Sequence, residues 1–366
     1  MTQSKPIAVY GATGFTGGLI ARELKGRGAN FLIAGRDRGK LEALSGELGG
    51  VPTAAVSLDD PLGLREMIEG CSVVVACAGP FTLHGEPLVE AAVEAGAHYL
   101  DTTGEQGFIK TVFDRYGKRA EEKGVALVSG MGFDYAPGDM LAALVAEGMG
   151  PLEEIAIAYC VHGFAPTHGT ALSGLEIMRG GDTVWSEGGW RPAPRGADGG
   201  RWRFPEPIGE RRMLRYPAGE QITVPRHVET ERVRTLLNGM VVSPPLMPAA
   251  AAAMPLLGLA MRSPLRQAAG AMIRRLPAAP SESARKASRF TVACEARSGE
   301  RTRRGTVSGS DVYGLTAISL THAATLCAAP AYDRRGALAP AQAFDPASFL
   351  DALGLAIEIE AVRPPG

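Results

Sequence analysis

No cysteine in this chain stands at a spacing that disulfide or zinc chemistry uses. The five, Cys71, Cys77, Cys160, Cys294 and Cys327, are scattered without a C-x-x-C pair, and read as reduced, mostly buried thiols of a cytoplasmic protein. An excess of one charge is also lacking: 38 Lys and Arg against 39 Asp and Glu leave a net charge of -1, which gives no electrostatic reason for a nucleic-acid partner. His84, His98, His162, His227 and His322 have no mutual spacing that suggests a metal site. There is no nucleophilic Ser or Cys in a recognisable elbow, and no Tyr-x-x-x-Lys pair to support a short-chain dehydrogenase mechanism. The first apolar strand begins almost at once, leaving no room for a signal peptide. At 366 residues, 45% apolar and 21% charged, the chain is expected to be a folded protein of two domains.

What is present begins with Pro6 to Gly17, PIAVYGATGFTG, a short apolar strand running into Gly11, Gly14 and Gly17 at the spacing G-x-x-G-x-x-G. In a βα unit the first glycine makes the tight turn, the second lets backbone approach a pyrophosphate, and the third allows close packing of the helix. Leu19, Ile20 and Leu24 continue at helical spacing, so the phosphates would rest on a helix N-terminus. Thr13 and Phe15 fall within the same turn and are candidate cofactor contacts.

A second short strand, FLIAGR, ends in Arg36, 19 positions beyond Gly17, about where a dinucleotide fold reads the adenosine ribose. An NAD site usually places Asp or Glu there. A guanidinium instead pairs with a 2′-phosphate, so the cofactor expected is NADP, with Arg38 and Lys40 candidates for the same positive pocket. Asp37 is read as the N-cap of a helix over Arg38 to Leu48.

Strands and helices then alternate through Ser129, which predicts a doubly wound parallel sheet whose ligands lie beyond the strand carboxyl ends. Those ends are Ala78-Gly79-Pro80-Phe81, Asp101-Thr102-Thr103-Gly104-Glu105 and Gly132-Phe133-Asp134-Tyr135. A nicotinamide enzyme needs from its protein chiefly positioning and a proton donor. Tyr135 is a candidate donor, or else an aromatic stacking on the nicotinamide. Asp134 either orients the cofactor amide or caps the helix after Pro137. Asp101 and Glu105 either form a carboxylate pair with one raised pKa or serve locally, Glu105 capping the next helix and Asp101 bonding to backbone. His168, at the expected start of a later helix, is a second candidate donor.

GATGFTG, the AGR strand end, AGPF followed by HGEPLVEAAVEAGAHYLDTTGE, and GFDYAPGD resemble, in order and spacing, the saccharopine dehydrogenase-like reductases. The likeness is greatest to the branch that includes trans-acting enoyl reductases, and it resumes more faintly at THGTALSG, SDVYGLTA and GALAPAQAF. That branch usually has Ser where Tyr135 and Gly138 stand. The resemblance implies an α/β fold: an N-terminal Rossmann domain over residues 1–138, an α+β substrate and dimerisation domain over 139–315, and C-terminal helices over 316–366 packing back on the first domain. It also implies a homodimer.

Past Gly138 the sequence predicts strands at Ile155 to Val161, Thr183 to Trp185, Ile222 to Val224 and Phe290 to Ala296, the last joined through Ser298-Gly299-Glu300 to a partner strand. Gly188 to Gly209 reads as a long loop, a candidate lid. Met240 to Met261 is uncharged, but its prolines argue against a spanning helix. The basic amphipathic stretch that follows, within an apolar insertion near 240–280, fits a peripheral membrane contact, the roof of an acyl tunnel, or a helix packed on its own sheet. The function expected is hydride transfer from NADPH to a polarised double bond. A conjugated C=C of an acyl or small-molecule substrate is preferred, with the imine of an amino-acid conjugate and a non-catalytic NADPH-binding protein as alternatives. Arg179, Arg191 and Arg226 are the arginines that could meet the carboxylates of such a conjugate.

Overall fold

The structure, a computed structural model, describes residues 5–179, 183–194, 198–216, 218–238, 270–273, 275 and 279–363. The first six strands, β1 Ile7–Tyr10, β2 Phe31–Gly35, β3 Thr53–Ala55, β4 Val73–Ala76, β5 His98–Asp101 and β6 Ala126–Val128, are separated by helices. There follow β7 Glu154–His162, β8 Thr183–Ser186, β9 Gly189–Pro192, β10 Asp198–Arg203, β11 Glu210–Arg215 and β12 Val233–Asn238. The last four are β13 Arg289–Ser298, β14 Arg301–Ser310, β15 Gly336–Ala337 and β16 Ala356–Ile359. The chain divides into two units: Met1–Asp134 with Tyr313–Phe344, and Tyr135–Val312 with Asp345–Gly366.

The first unit is built on a seven-stranded sheet in the order β3-β2-β1-β4-β5-β6-β15, with every pairing parallel. β1 and β4 are wholly buried runs, as expected of strands covered by helices on both faces. The helix Phe15–Gly26 buries Gly17, Gly18, Ile20, Ala21 and Leu24. The helix Arg38–Glu47 starts where Asp37 accepts a hydrogen bond from the Lys40 N–H at 3.1 Å, the capping read from the sequence. The helical stretch from Gln106 to Lys123 carries a wider π turn at Val112–Tyr116.

The second unit holds a mixed seven-stranded sheet, β10-β11-β12-β7-β13-β14-β16, with β7 paired parallel to β12 and antiparallel to β13. β13 and β14 form the expected hairpin, closed from Ser298 to Arg301 with Gly299 at φ 60°. Along β7 the side chains alternate: Ala156, Ala158 and Cys160 join Trp202, Phe204, Met213, Leu236 and Ala293 in one apolar cluster, while Tyr159 reaches the other side.

Two expectations are corrected here. The stretch Gly188 to Gly209 is not one long loop, since it contains β9 and β10, and β9 pairs with β8 through Trp185 and Trp190. The strand expected at Ile222 to Val224 is the helix Glu220–Thr223 running into a 3-10 turn, Val224–Arg226. β-branched residues favoured a strand there, but burial decides otherwise: the Gln221 amide donates to the Val233 carbonyl and the Thr235 hydroxyl, which fixes this segment beside β12. The apolar segment Met240 to Met261 lies outside the described residues. Among the described residues no helix is long and apolar enough to cross a membrane.

Candidate dinucleotide site

The turn after β1 is shaped by glycines for which the structure gives steric reasons. Gly11 has φ 81°, in the left-handed region, and a Cβ there would stand 3.0 Å from backbone atoms of Cys77 and Ala78 after β4. A Cβ on Gly14 would come 3.2 Å from the Gly11 carbonyl oxygen, and one on Gly17 would overlap that oxygen and approach the Ala12 Cα at 2.9 Å. The helix thus folds back directly onto the turn, with Thr13 and Gly14 exposed and the first-turn N–H groups of Phe15, Thr16 and Gly17 following. This cradle of exposed backbone at a helix N-terminus fits a pyrophosphate. The Phe15 ring sits edge-on to Tyr313, with centroids 5.3 Å apart.

At the end of β2, Arg36 is exposed and makes no ion pair among the described residues, and the same holds for Arg38. Lys40 does not stand with them as a free cation, because its ammonium lies 3.3 Å from the carboxylate of Asp37. Asp37, the acidic residue next to Arg36 in sequence, is therefore engaged with its own helix.

Two buried carboxylates brace the loops after β4, β5 and β6. Asp101, fully buried, accepts from the Thr103 and Gly130 N–H groups at 2.9 Å each and from the Ser129 hydroxyl at 2.7 Å. Burial outweighs these donors and pushes its pKa up to about 6. Glu105 does not cap the helix that follows it. Its two oxygens accept from the Phe81 and Thr82 N–H groups, each at 2.8 Å, across the sheet. Asp101 and Glu105 are thus not a carboxylate pair, and the rise at Asp101 has desolvation as its cause. The β6 loop is further held by Thr316, whose hydroxyl accepts from the Phe133 N–H at 3.0 Å, and by Ser319, which donates to the Met131 carbonyl at 2.6 Å. Tyr313 and Thr316 were missed as site residues, although they lie within the SDVYGLTA motif.

Asp134 does not cap the helix Ala136–Ala146, which begins after Tyr135 without a side-chain cap. It is half-buried, and burial pushes its pKa up to about 6. Ala78, Gly79, Pro80 and Phe81 form the loop after β4, where the Gly79–Pro80 peptide is cis.

The two candidate proton donors belong to the second unit. Tyr135 is 1% exposed, with its hydroxyl 3.3 Å from that of Tyr216. His168 is half-buried at the first position of the helix His168–Arg179, whose start is capped by the Thr167 hydroxyl accepting from Thr170 N–H at 3.1 Å. Of the candidate arginines, Arg191 pairs with Glu187 at 2.8 Å, and Arg226 lies over the Trp190 ring, 5.2 Å from its centroid. Among the described residues no cluster of His, Cys, Asp and Glu could hold a metal ion.

A parallel sheet in this order, with a glycine turn after β1 and braced loops at its switch point, defines a Rossmann-type dinucleotide-binding domain. Residues 7–128, about a third of the chain, match the family model described as the saccharopine dehydrogenase NADP binding domain. Curated relatives include a lipid droplet localized protein of Caenorhabditis elegans, 38% identical over 146 residues, 37% of this chain and 34% of that protein. They also include a trans-acting enoyl reductase of Mycobacterium ulcerans, 37% identical over 140 residues, again 37% of this chain and 34% of that protein. A saccharopine dehydrogenase-like oxidoreductase of Bos taurus is 32% identical over 162 residues, 38% of this chain and 37% of that protein. The matched stretch therefore spans about a third of each relative. The fold as a whole is similar to that of apo saccharopine dehydrogenase (L-Glu forming) from Saccharomyces cerevisiae, with a TM-score of 0.62 and 14% identity over 98% of this chain and 100% of that one.

Proposed function

We propose that this chain is an NADPH-dependent oxidoreductase that reduces a polarised double bond, with a conjugated C=C of an acyl substrate as the electrophile. The observation that carries the cofactor half is Arg36, an exposed guanidinium with no ion pair among the described residues at the strand end where a ribose is read. The electrophile is argued from the mycobacterial relatives, trans-acting enoyl reductases that share the matched stretch at 37–38% identity. NADPH, when bound, supplies the hydride. The chain's own residues hold the pyrophosphate at Gly11, Thr13, Gly14, Phe15 and Gly17, pair Arg36 with the 2′-phosphate, and supply the proton from Tyr135 or His168. Asp101, with its oxygens engaged by three donors, braces loops in this reading and does not donate the proton. An imine electrophile is the second reading, favoured by the name of the matching family model.

Fluorescence titration with NADPH and NADH tests the cofactor half. A preference of about tenfold or more for NADPH is expected, equivalent to ~1.4 kcal/mol, and Arg36→Ala should lose it. Equal binding of both cofactors by the wild type would overturn the NADPH assignment. Acceptor-dependent NADPH oxidation tests the rest: α,β-unsaturated acyl thioesters should be turned over, keto acid plus amine should not, and absence of turnover with every acceptor would leave a binding protein. A homodimer and a peripheral lipid contact belong to the same proposal, the second supported by the likeness to the lipid droplet localized protein of the nematode. Flotation with liposomes checks it, and a protein that stays at the bottom of the gradient would remove that contact.

A further inference from the structure

We propose that Glu105 is the positioning residue for the nicotinamide half of the cofactor, acting through the loop that follows β4. The proposal rests on the dinucleotide reading above. In a doubly wound sheet the β1–β3 half receives one nucleotide and the β4–β6 half the other, with the crevice between β1 and β4. The β4 loop is one wall of that crevice, because a Cβ on Gly11 would already stand 3.0 Å from Ala78 N and Cys77 C. On its near side the loop is anchored by the Cys77 N–H donating to the Tyr10 carbonyl at 2.9 Å. On its far side the anchor is Glu105, which takes the consecutive Phe81 and Thr82 N–H groups on its two carboxylate oxygens.

Glu105 is itself fixed. It is 2% exposed, its own N–H donates to the Thr103 hydroxyl at 3.0 Å, and the Thr103 N–H donates to Asp101 at 2.9 Å. The Phe81 ring packs on Phe108, with centroids 5.6 Å apart, which fixes the loop from the same side. A chain of bonds therefore runs from Asp101 through Thr103 and Glu105 to Phe81, and sets where the Gly79–Pro80 wall stands. A carboxylate fits this geometry: Oε1 takes the Phe81 N–H and Oε2 the Thr82 N–H, whereas an amide in the same place presents its NH2 to one of those donors. The adenosine half, at Arg36, is reached by none of these bonds.

The test uses two probes on the full chain, NADPH and 2′,5′-ADP, the second carrying only the adenosine half. Glu105→Gln is expected to weaken NADPH about tenfold and to leave 2′,5′-ADP binding as in the wild type. Amide exchange in the peptide covering Phe81 to His84 should quicken while that of β1 stays slow. If Gln prevents folding, Glu105→Asp, which keeps the charge but is one methylene too short to span both donors, is read in the same way. Wild-type affinity for both probes, or parallel loss of both, would overturn the proposal. A wild-type protein that binds neither probe would remove the dinucleotide reading itself, and this inference with it.

Discussion

Gly17 and Gly138 hold the same place in the two units, each the third residue of the helix that opens its unit. What crowds them differs. A Cβ on Gly17 meets backbone, the Gly11 carbonyl and the Ala12 Cα, six and five residues earlier in the chain. A Cβ on Gly138 meets side-chain ends, the Tyr159 hydroxyl and Glu220 Oε1, which hydrogen bond to each other. The Gly17 turn is shaped by local backbone contacts, the Gly138 turn by buried polar side chains brought from afar. Local constraint leaves a motif in the sequence. Distant constraint leaves a glycine with no neighbours to explain it.

The largest effect should come from Gly17→Ala. Alanine gains ~1 kcal/mol over glycine in a helix interior. Overlap with backbone that cannot rotate away costs more, so a net loss of about 2–4 kcal/mol is expected in denaturant unfolding, with NADPH binding lost as the turn is displaced. Gly138→Ala should cost about 1–2 kcal/mol, because the Tyr159 and Glu220 side-chain ends can shift. Equal unfolding midpoints for the two variants would erase the distinction between the two turns.

Next comes a pair that belongs wholly to the second unit. Asp139 Oδ1 lies 2.9 Å from His227 Nε2, with the two side chains 0% and 9% exposed. The other ring nitrogen, Nδ1, is buried without a hydrogen-bond partner, so the bond to Asp139 carries the imidazole. Asp139→Ala should destabilise by about 2–4 kcal/mol, and Asp139→Asn, which keeps a polar partner, by about half of that. A double-mutant cycle with His227→Ala measures the coupling, and additivity of the two single losses would show that the pair does not act as one.

This contrast explains what could be read in advance. The parallel sheet, the glycine turn and the Asp37 cap follow from residues within a few positions of one another, and the sequence displays them openly. So does the β13–β14 hairpin, whose turn is two residues long. Glu105 was legible as a carboxylate at a strand end, yet its partners, Phe81 and Thr82, lie more than twenty residues away, and local spacing pointed instead to the following helix. The helix at Glu220–Thr223 was read as a strand for the same reason: Gln221 is tied to Val233 and Thr235 by pairing that no window of sequence contains. The long loop expected from Gly188 to Gly209 is not found because glycine and arginine content describes turns as well as loops, and here the turns join β8 to β11.

The smallest effect concerns two carboxylates of the first unit, Asp101 and Asp134, and it separates a brace from a strained charge. Both Asp101 and Asp134 have their pKa pushed up to about 6 by burial, above the ~3.9 of an unfolded chain. The folded state therefore binds the proton more tightly, so this contribution to stability is full below about pH 4 and is lost as pH rises through about 6. At Asp101, Asn keeps a carbonyl for the Thr103 and Gly130 donors, and its NH2 can donate to a rotated Ser129 hydroxyl. Asp101→Asn should therefore leave stability at pH 7 equal or slightly higher and turnover intact, whereas a proton donor at this position would lose on the order of a hundredfold. At Asp134, where no donor among the described residues holds the charge, Asn should add about 1 kcal/mol at pH 7 and nothing at pH 4, flattening that part of the stability profile. Unfolding midpoints at the two pH values decide it: a gain of the same size at pH 4 would mean that packing, and not the buried charge, sets the cost at Asp134.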